Sequence, residues 1–208
     1  MKAFNLLLLI LFTLIITFLS KYLLLSDDLF YSSYSEQFAR SQIELILSQS
    51  KEWEWLGYVL IPIICVFKCL LTSLCLSLGI FLITNKFDFR IIFRVSVLAE
   101  FVFLLPAIIK ILWFLFIQTT YTLQDLQLFY PLSALNIFDP KLLEPWLLYP
   151  LQVFNVFEVI YWVVLAYLLS KELPDMDMNS SFGLVMSSYG SGLVIWIALV
   201  MFLTITYT

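Results

Sequence analysis

The sequence predicts an all-α integral membrane protein: a bundle of five transmembrane helices with a short extracytoplasmic amphipathic helix. Of the 208 residues, 62% are hydrophobic and only 12% are charged, whereas soluble domains carry about 25% charged residues. In addition, five segments reach the roughly 20 apolar residues that cross a bilayer as a helix. These predicted spans are 3–25, 57–84, 91–117, 149–169 and 183–206. We expect a single membrane domain, because the outer segments 26–56 and 118–148 contain no soluble domain.

The first span follows Met1 and Lys2 and is rich in leucine. This start leaves two alternatives, an uncleaved signal anchor and a signal peptide that is removed. The apolar run from Ala3 to Leu19 is longer than the hydrophobic region of a usual signal peptide, and no A-x-A cleavage site follows Leu25. These features favour the anchor.

The basic residues predict the orientation, because short cytoplasmic loops carry an excess of Lys and Arg. With a cytoplasmic N-terminus, the short inner segments contain five basic residues: Lys2, Lys86, Arg90, Arg94 and Lys171. The outer segments are far longer and contain fewer, with Lys21 near a helix end: Arg40, Lys51 and Lys141. We therefore expect the C-terminus to be extracytoplasmic, in a bacterial inner membrane or a eukaryotic endomembrane.

The first outer segment contains the predicted amphipathic helix. Ser33 and Glu36 have the S-x-x-E spacing of a capping box, and Ile43 and Ile46 follow at helical spacing. The segment is acidic, which disfavours binding to anionic headgroups. It is expected to be a connector lying on the bundle, or else a lid or a contact for a protein partner.

The second outer segment is interrupted by Pro131, Pro140 and Pro145. Proline ends or kinks helices because it lacks a backbone N–H. We expect one or two short interfacial helices in this segment.

Three ionisable residues lie near the middle of predicted spans: Lys68, Glu100 and Glu158. Placing a charge at the centre of a transmembrane helix costs about 2.5 to 3.5 kcal/mol on insertion scales, so such side chains face the bundle and find partners. Lys68 and Glu158 lie close to the midpoints of their spans and are expected to reach each other. Glu100 lies nearer the inner side, where it joins them or pairs with Arg94.

Gln152 and Asn155 extend this set, because with Glu158 they have the spacing i, i+3 and i+6 and form a polar arc on one helix. We call Lys68, Glu100, Gln152, Asn155 and Glu158 the intramembrane polar cluster. Three interpretations stay open: a network that sets the helix register, a polar pocket or proton-handling site, and contact with a partner subunit.

The last predicted span has small residues at i, i+4 and i+8, namely Gly183, Ser187 and Ser191. Small residues at this spacing let two transmembrane helices approach closely. This row predicts a tight helix contact, either within the chain or between chains.

Several functions are excluded by the residue types. The chain has no histidine, which is the commonest general base and metal ligand. Cys65, Cys69 and Cys75 lie within one span and are interpreted as small apolar residues. There is no phosphate-binding glycine loop followed by Lys and Ser or Thr, and a net charge of -4 disfavours nucleic acid. The sequence therefore predicts no catalytic residue, no metal, no cofactor and no nucleic-acid partner.

The stretch FNVFEVIYWVVLAYLLSKEL, residues 154–173, brings a polar residue into a span. A short serine-containing link and a last span rich in small residues follow. Together with five spans and a cytoplasmic N-terminus, this pattern resembles the Yip-type family of Rab-interacting membrane proteins and its bacterial relatives over about residues 57–206. The resemblance implies a non-enzymatic five-helix bundle that organises membrane traffic or assists a larger complex, and it supplies no catalytic residues. The chain departs from the eukaryotic pattern in lacking a cytosolic N-terminal region, which leaves a GTPase partner without support.

Three functional hypotheses follow. The first is a non-enzymatic accessory or scaffold subunit, with the bilayer and a protein partner or second copy bound through the fifth span or the acidic outer segment. The second is a small permease or proton-coupled transporter component that uses Lys68, Glu100 and Glu158. The third, an intramembrane enzyme, has the least support.

Overall fold

The computed structural model describes residues 2–35, 38–84, 88–173 and 176–207. These residues form helices joined by short irregular segments and contain no strand. The α-helices, in chain order, are α1 Lys2–Leu24, α2 Asp27–Tyr34, α3 Arg40–Glu52, α4 Glu54–Thr84, α5 Phe89–Glu100, α6 Leu104–Phe116, α7 Leu123–Leu128, α8 Pro145–Val153, α9 Val156–Glu172, α10 Met178–Val185 and α11 Ser191–Tyr207. Short 3₁₀ helices occur at Phe101–Phe103, Ala134–Ile137 and Pro140–Leu142. A π-helical turn, Met186–Gly190, joins α10 to α11. The predicted all-α class is confirmed.

Four helical segments within the described residues are long and apolar enough to cross a membrane. They are Phe4–Leu24, Glu54–Thr84, Phe89–Phe116 and Met178–Tyr207. They coincide with the first, second, third and fifth predicted spans. The predicted count of five transmembrane helices is not confirmed.

The predicted span 149–169 requires a correction, because the structure divides it into α8 and α9. Pro150 lies inside α8, where it cannot donate a backbone hydrogen bond. Asn155 then leaves the helix with extended backbone angles, and its side chain caps the next helix. Only 17 helical residues follow the break, too few to reach the usual length of about 20 for a span.

The predicted outer amphipathic helix is α3, and it begins later than the sequence suggested. Ser33 lies inside α2, so it does not cap α3, and Glu36 lies outside the described residues. The first turn of α3 is closed by Gln42, whose Oε1 accepts from the Ala39 backbone N–H at 3.1 Å. Ile43 is the buried residue of α3, so this helix lies against the rest of the chain on one face.

Two ion pairs mark opposite ends of the bundle. Lys21 and Glu54 meet at 2.6 Å where α1 ends and α4 begins, and we call this the outer end, following the predicted orientation. Arg94 in the middle of α5 pairs with Glu172, the last residue of α9, and we call this side the inner end. Toward the inner end, α4, α5, α9 and α10 enclose the main apolar core.

The segment Phe89–Phe116 is interrupted by the 3₁₀ turn Phe101–Phe103. Pro106 lies just beyond the turn and cannot donate to the carbonyl four residues earlier, at Val102, so regular α-helical bonding is lost there. The interruption places Glu100 at the end of α5, beside the middle of α4.

Candidate functional site

The centre of the bundle contains an ion pair between α4 and α5. Lys68 Nζ donates to Glu100 Oε1 at 2.5 Å, and Glu100 is 6% exposed. The ammonium also lies 4.4 Å from the centroid of the Phe103 ring, a distance at which a cation is attracted to the ring face. Of the two alternatives for Glu100, the structure has the pair with Lys68, because Arg94 is engaged by Glu172.

Glu158 has different partners from those expected. Its Oε1 accepts from Trp162 Nε1 at 2.9 Å and from the Tyr189 hydroxyl at 2.8 Å. Tyr189 lies on the π-helical turn of the last span, and such turns are frequent at functional sites. Glu158 therefore joins α9 to the last span and makes no direct hydrogen bond with Lys68, although the two are close enough to interact electrostatically.

Asn155 and Gln152 form the break between α8 and α9. Asn155 Oδ1 accepts from the Glu158 backbone N–H at 2.8 Å. Asn155 Nδ2 donates to the carbonyls of Gln152 and Val153, both at 2.9 Å. The predicted polar arc on one continuous helix is thus replaced by a capped chain break in which Gln152 contributes a backbone carbonyl.

The break is completed by the outer segment that precedes it in the chain. Ser133 and Asn155 form an isolated antiparallel bridge, in which the Ala134 N–H donates to the Phe154 carbonyl at 2.8 Å. The Val156 N–H donates to the Leu132 carbonyl at 3.2 Å, and Leu132 has a left-handed φ of 54°. These bonds satisfy backbone groups that the break removes from helical bonding, a requirement for irregular backbone at membrane depth.

The sequence contained a signal for this break. Asn155 is followed three residues later by Glu158, which is the spacing of a helix N-terminus with a capping residue and an acidic residue in the first turn. The apolar residues on either side of Asn155 concealed it, because they continue the hydropathy of a span.

Lys68 lies among ionisable groups from three other parts of the chain. Glu100 and Glu158 on two other helices and Tyr130 in the outer segment all lie close enough to interact with it electrostatically, yet 49% of its side chain is accessible. Desolvation raises the pKa of the Tyr130 hydroxyl above its ordinary value. We call Lys68, Glu100, Tyr130 and Glu158 the Lys68 group.

Buried hydroxyls next to the Lys68 group form further hydrogen bonds between helices, and the sequence analysis did not predict them. The Tyr161 hydroxyl donates to Thr72 Oγ1 at 3.2 Å, which joins α9 to α4. Ser73 and Ser96 hydroxyls are 3.0 Å apart and join α4 to α5. Polar residues of this kind give no strong pattern in an apolar sequence, because a serine or threonine can also bond to its own helix.

The small-residue row Gly183, Ser187 and Ser191 is exposed and makes no tight contact within the chain. The Ser187 and Ser191 hydroxyls donate to carbonyls of their own helix. The close approach occurs on the neighbouring face, where Ser188 meets Gly79 and Gly192 meets Cys75. The row was predicted to make a tight helix contact either within the chain or between chains, and within the chain it makes none.

Among the residues that the structure describes, no group of three His, Cys, Asp or Glu side chains is placed to hold a metal ion. No family model, no curated protein and no solved structure matches this sequence. The class of protein is therefore defined by the fold: an all-α protein with four described helices long and apolar enough to cross a membrane.

Proposed function

We propose that the chain is a non-enzymatic multi-pass membrane protein that serves as an accessory or scaffold subunit of a membrane complex or of membrane trafficking, with its N-terminus in the cytoplasm. The resemblance to the Yip-type family implies the same role. The observation that carries the proposal is that the ionisable groups of the intramembrane polar cluster have specific partners on neighbouring elements, as Lys68 has in Glu100 and Glu158 has in Tyr189.

Partnered charges of this kind hold helices in one arrangement. A buried ion pair adds little net stability, since desolvation offsets the attraction, but a wrong register leaves a charge without a partner. Lys68 with Glu100 aligns α4 with α5, and Glu158 with Tyr189 aligns α9 with the last span. The polar cluster is thus suited to maintaining the shape of a bundle that other proteins bind.

The small-residue row Gly183, Ser187 and Ser191 is the surface on which we expect a second transmembrane helix to bind. A Cβ atom added to Gly183 would meet nothing within 4 Å, so a partner helix has room to approach. The Ser187 and Ser191 hydroxyls are already hydrogen-bonded to their own helix, and therefore burying them costs no hydrogen bond. The partner is a second copy or a helix of another protein.

We expect Ser187→Leu to separate the chain from its complex. The protein is extracted from its native membrane in mild detergent, purified and analysed by native mass spectrometry. The wild type is expected as a complex of defined mass, and the variant mostly as a single chain, because the larger side chain holds the second helix away. Val159→Leu, an enlargement of an exposed residue on α9, is the matched control. A wild type that is always a lone monomer contradicts the proposal.

The Lys68 group supports a second candidate function, a small permease or proton-coupled transporter component. Half of the Lys68 side chain is accessible near the middle of α4, with Glu100 and Glu158 in electrostatic range. The adjacent break between α8 and α9 is a discontinuous helix, a feature of many transporter sites.

For this candidate, we expect Glu158→Gln to reduce proton flux at least about tenfold in proteoliposomes containing a pH-sensitive dye and subjected to a pH jump. Glutamine keeps an oxygen that accepts from Trp162 and Tyr189 but cannot carry and release a proton. Glu144→Gln, in the outer segment, is the control. If wild-type proteoliposomes and empty liposomes give the same flux, the transporter candidate is excluded and the scaffold proposal is unaffected.

A further inference from the structure

An open space lies at the outer end, separate from the Lys68 group. It is a cavity of about 830 Å³ bounded by α6, α7 and the segment 131–140. No residue of the Lys68 group lines it. Cavities that bind small molecules measure about 300 to 1,000 Å³, so this one is large enough for an organic ligand.

The charged side chains that the structure describes on the cavity wall have one sign. They are Asp125, on α7, and Asp139. Asp139 has an interaction of its own within the chain, whereas the hydrogen bonds that the structure describes for the Asp125 carboxylate, from the Thr122 N–H and hydroxyl, use only Oδ2. Lys110 is the nearby base on α6, but its ammonium donates to the Leu126 carbonyl and does not line the cavity. An occupant of this cavity therefore meets negative charge, which disfavours an anion and attracts a cation.

The apolar part of the wall is aromatic. The rings of Trp113 and Phe129 are stacked with centroids 5.2 Å apart, and Phe138 also lines the cavity. Trp113 is held in place by its Nε1–H, which donates to Gln118 Oε1 at 3.2 Å. Fixed aromatic rings next to carboxylates are the combination that binds ammonium groups attached to apolar groups.

Ser133 supplies an independent observation at the cavity wall, a buried hydroxyl whose hydrogen bonding is incomplete. It lines the cavity and is 5% exposed, and its hydroxyl oxygen is buried without a hydrogen-bond partner in the described structure. Unpartnered buried hydroxyls are rare in proteins, and they mark places where a ligand or water completes the bonding. Ser133 also forms the bridge to Asn155, so a ligand here would contact the segment that closes the helix break.

We propose that the outer cavity binds a lipophilic ammonium ion, with the charge directed at Asp125 and the apolar part packed on Trp113, Phe129 and Phe138. Two sources share this chemistry: a free organic amine, and the ammonium headgroup of a lipid in the outer leaflet. The inference rests on the cavity and does not require either proposed function.

The test uses benzyltrimethylammonium as the probe, titrated calorimetrically into the full chain in nanodiscs, with empty nanodiscs subtracted. We expect saturable binding of this cation and none of benzylsulfonate, an anion of similar size. Asp125→Asn is expected to weaken the cation at least about fivefold, because asparagine keeps the oxygen that accepts from the Thr122 N–H but loses the charge. Asp28→Asn, an exposed outer aspartate that does not line the cavity, is the matched control and should leave the affinity unchanged.

The lipid of the nanodisc distinguishes the two sources. Weaker probe binding in phosphatidylcholine than in phosphatidylglycerol nanodiscs, in wild type but not in Asp125→Asn, assigns the cavity to a lipid headgroup. Equal affinity in both assigns it to a free amine. The proposal is overturned if the cation does not bind above empty nanodiscs, if benzylsulfonate binds equally well, or if a folded Asp125→Asn protein binds like the wild type.

Discussion

Glu100→Leu is expected to lower the free energy of unfolding by about 3 kcal/mol, the lower end of the cost of breaking a buried ion pair. The substitution leaves Lys68 charged near the middle of α4 without its carboxylate, which is 2.5 Å away in the wild type. About half of the Lys68 side chain is accessible, so we expect a cost at the lower end of the range for a fully buried pair. Thermal unfolding in detergent should show a decrease in Tm of about 6 to 12 °C, on the scaling for chains of this length.

The double variant Lys68→Met with Glu100→Leu distinguishes two causes of destabilisation, the loss of the ion pair and a packing defect at residue 100. Replacing both partners of a buried pair by apolar residues is often neutral or stabilising, so we expect the double variant to regain most of the loss. If the loss of unfolding free energy in the double variant equals the sum of the losses in Lys68→Met and Glu100→Leu alone, the two residues do not interact and our account of the bundle centre is incorrect. Glu172→Leu is the control, since its pair with Arg94 is about 30% exposed and should contribute at most about 1 kcal/mol.

Gly79→Ala is expected to destabilise the bundle by about 1 to 3 kcal/mol, the usual cost of overpacking. A Cβ atom on Gly79 would lie 2.7 Å from the Ser188 Cβ, and Ser188 Cβ cannot move unless its backbone moves. The substitution therefore pushes α4 away from the π-helical turn of the last span. Gly57→Ala, on the same helix, is the matched control, because a Cβ there meets nothing within 4 Å and alanine favours helix by up to about 1 kcal/mol.

Both alanine variants are compared by thermal unfolding in the same detergent, and they should shift Tm in opposite directions. Combining Gly79→Ala with Ser188→Gly removes the atom that the new methyl group strikes, and we expect this pair to recover part of the lost stability. Equal shifts for Gly79→Ala and Gly57→Ala would show that α4 and the last span do not meet as closely as the structure indicates.

Much of the fold could be predicted because hydropathy is a local property. Runs of apolar residues locate four of the membrane-length helices within a few residues of their bounds in the structure. The rise of 1.5 Å per residue placed Lys68 and Glu158 near the same depth and Glu100 nearer the inner side. In the structure Lys68 meets Glu100, which was one of the two alternatives for that carboxylate, and not Glu158.

The sequence was less informative about which neighbour each polar residue contacts. Depth is counted along one helix, but the partner of Glu158 depends on how α9 and the last span are rotated about their axes. That rotation brings Tyr189 to Glu158 and leaves Lys68 at a distance. The same uncertainty applies to the small-residue row, because a rotation of a fraction of a turn selects Ser188 and Gly192 for the close contacts and leaves Ser187 exposed.

Composition and apolar run length were therefore sufficient to establish an all-α chain of membrane-length helices, because each helix satisfies its own backbone hydrogen bonds in any apolar surroundings. Contacts between distant parts of the chain decided how the break at Asn155 is closed, which side chains meet Lys68, and where the outer cavity lies. The break needs Leu132 and Ser133, more than 20 residues earlier, to bond with residues 154–156. Such pairings depend on how the helices pack together, and no local pattern of residues encodes them.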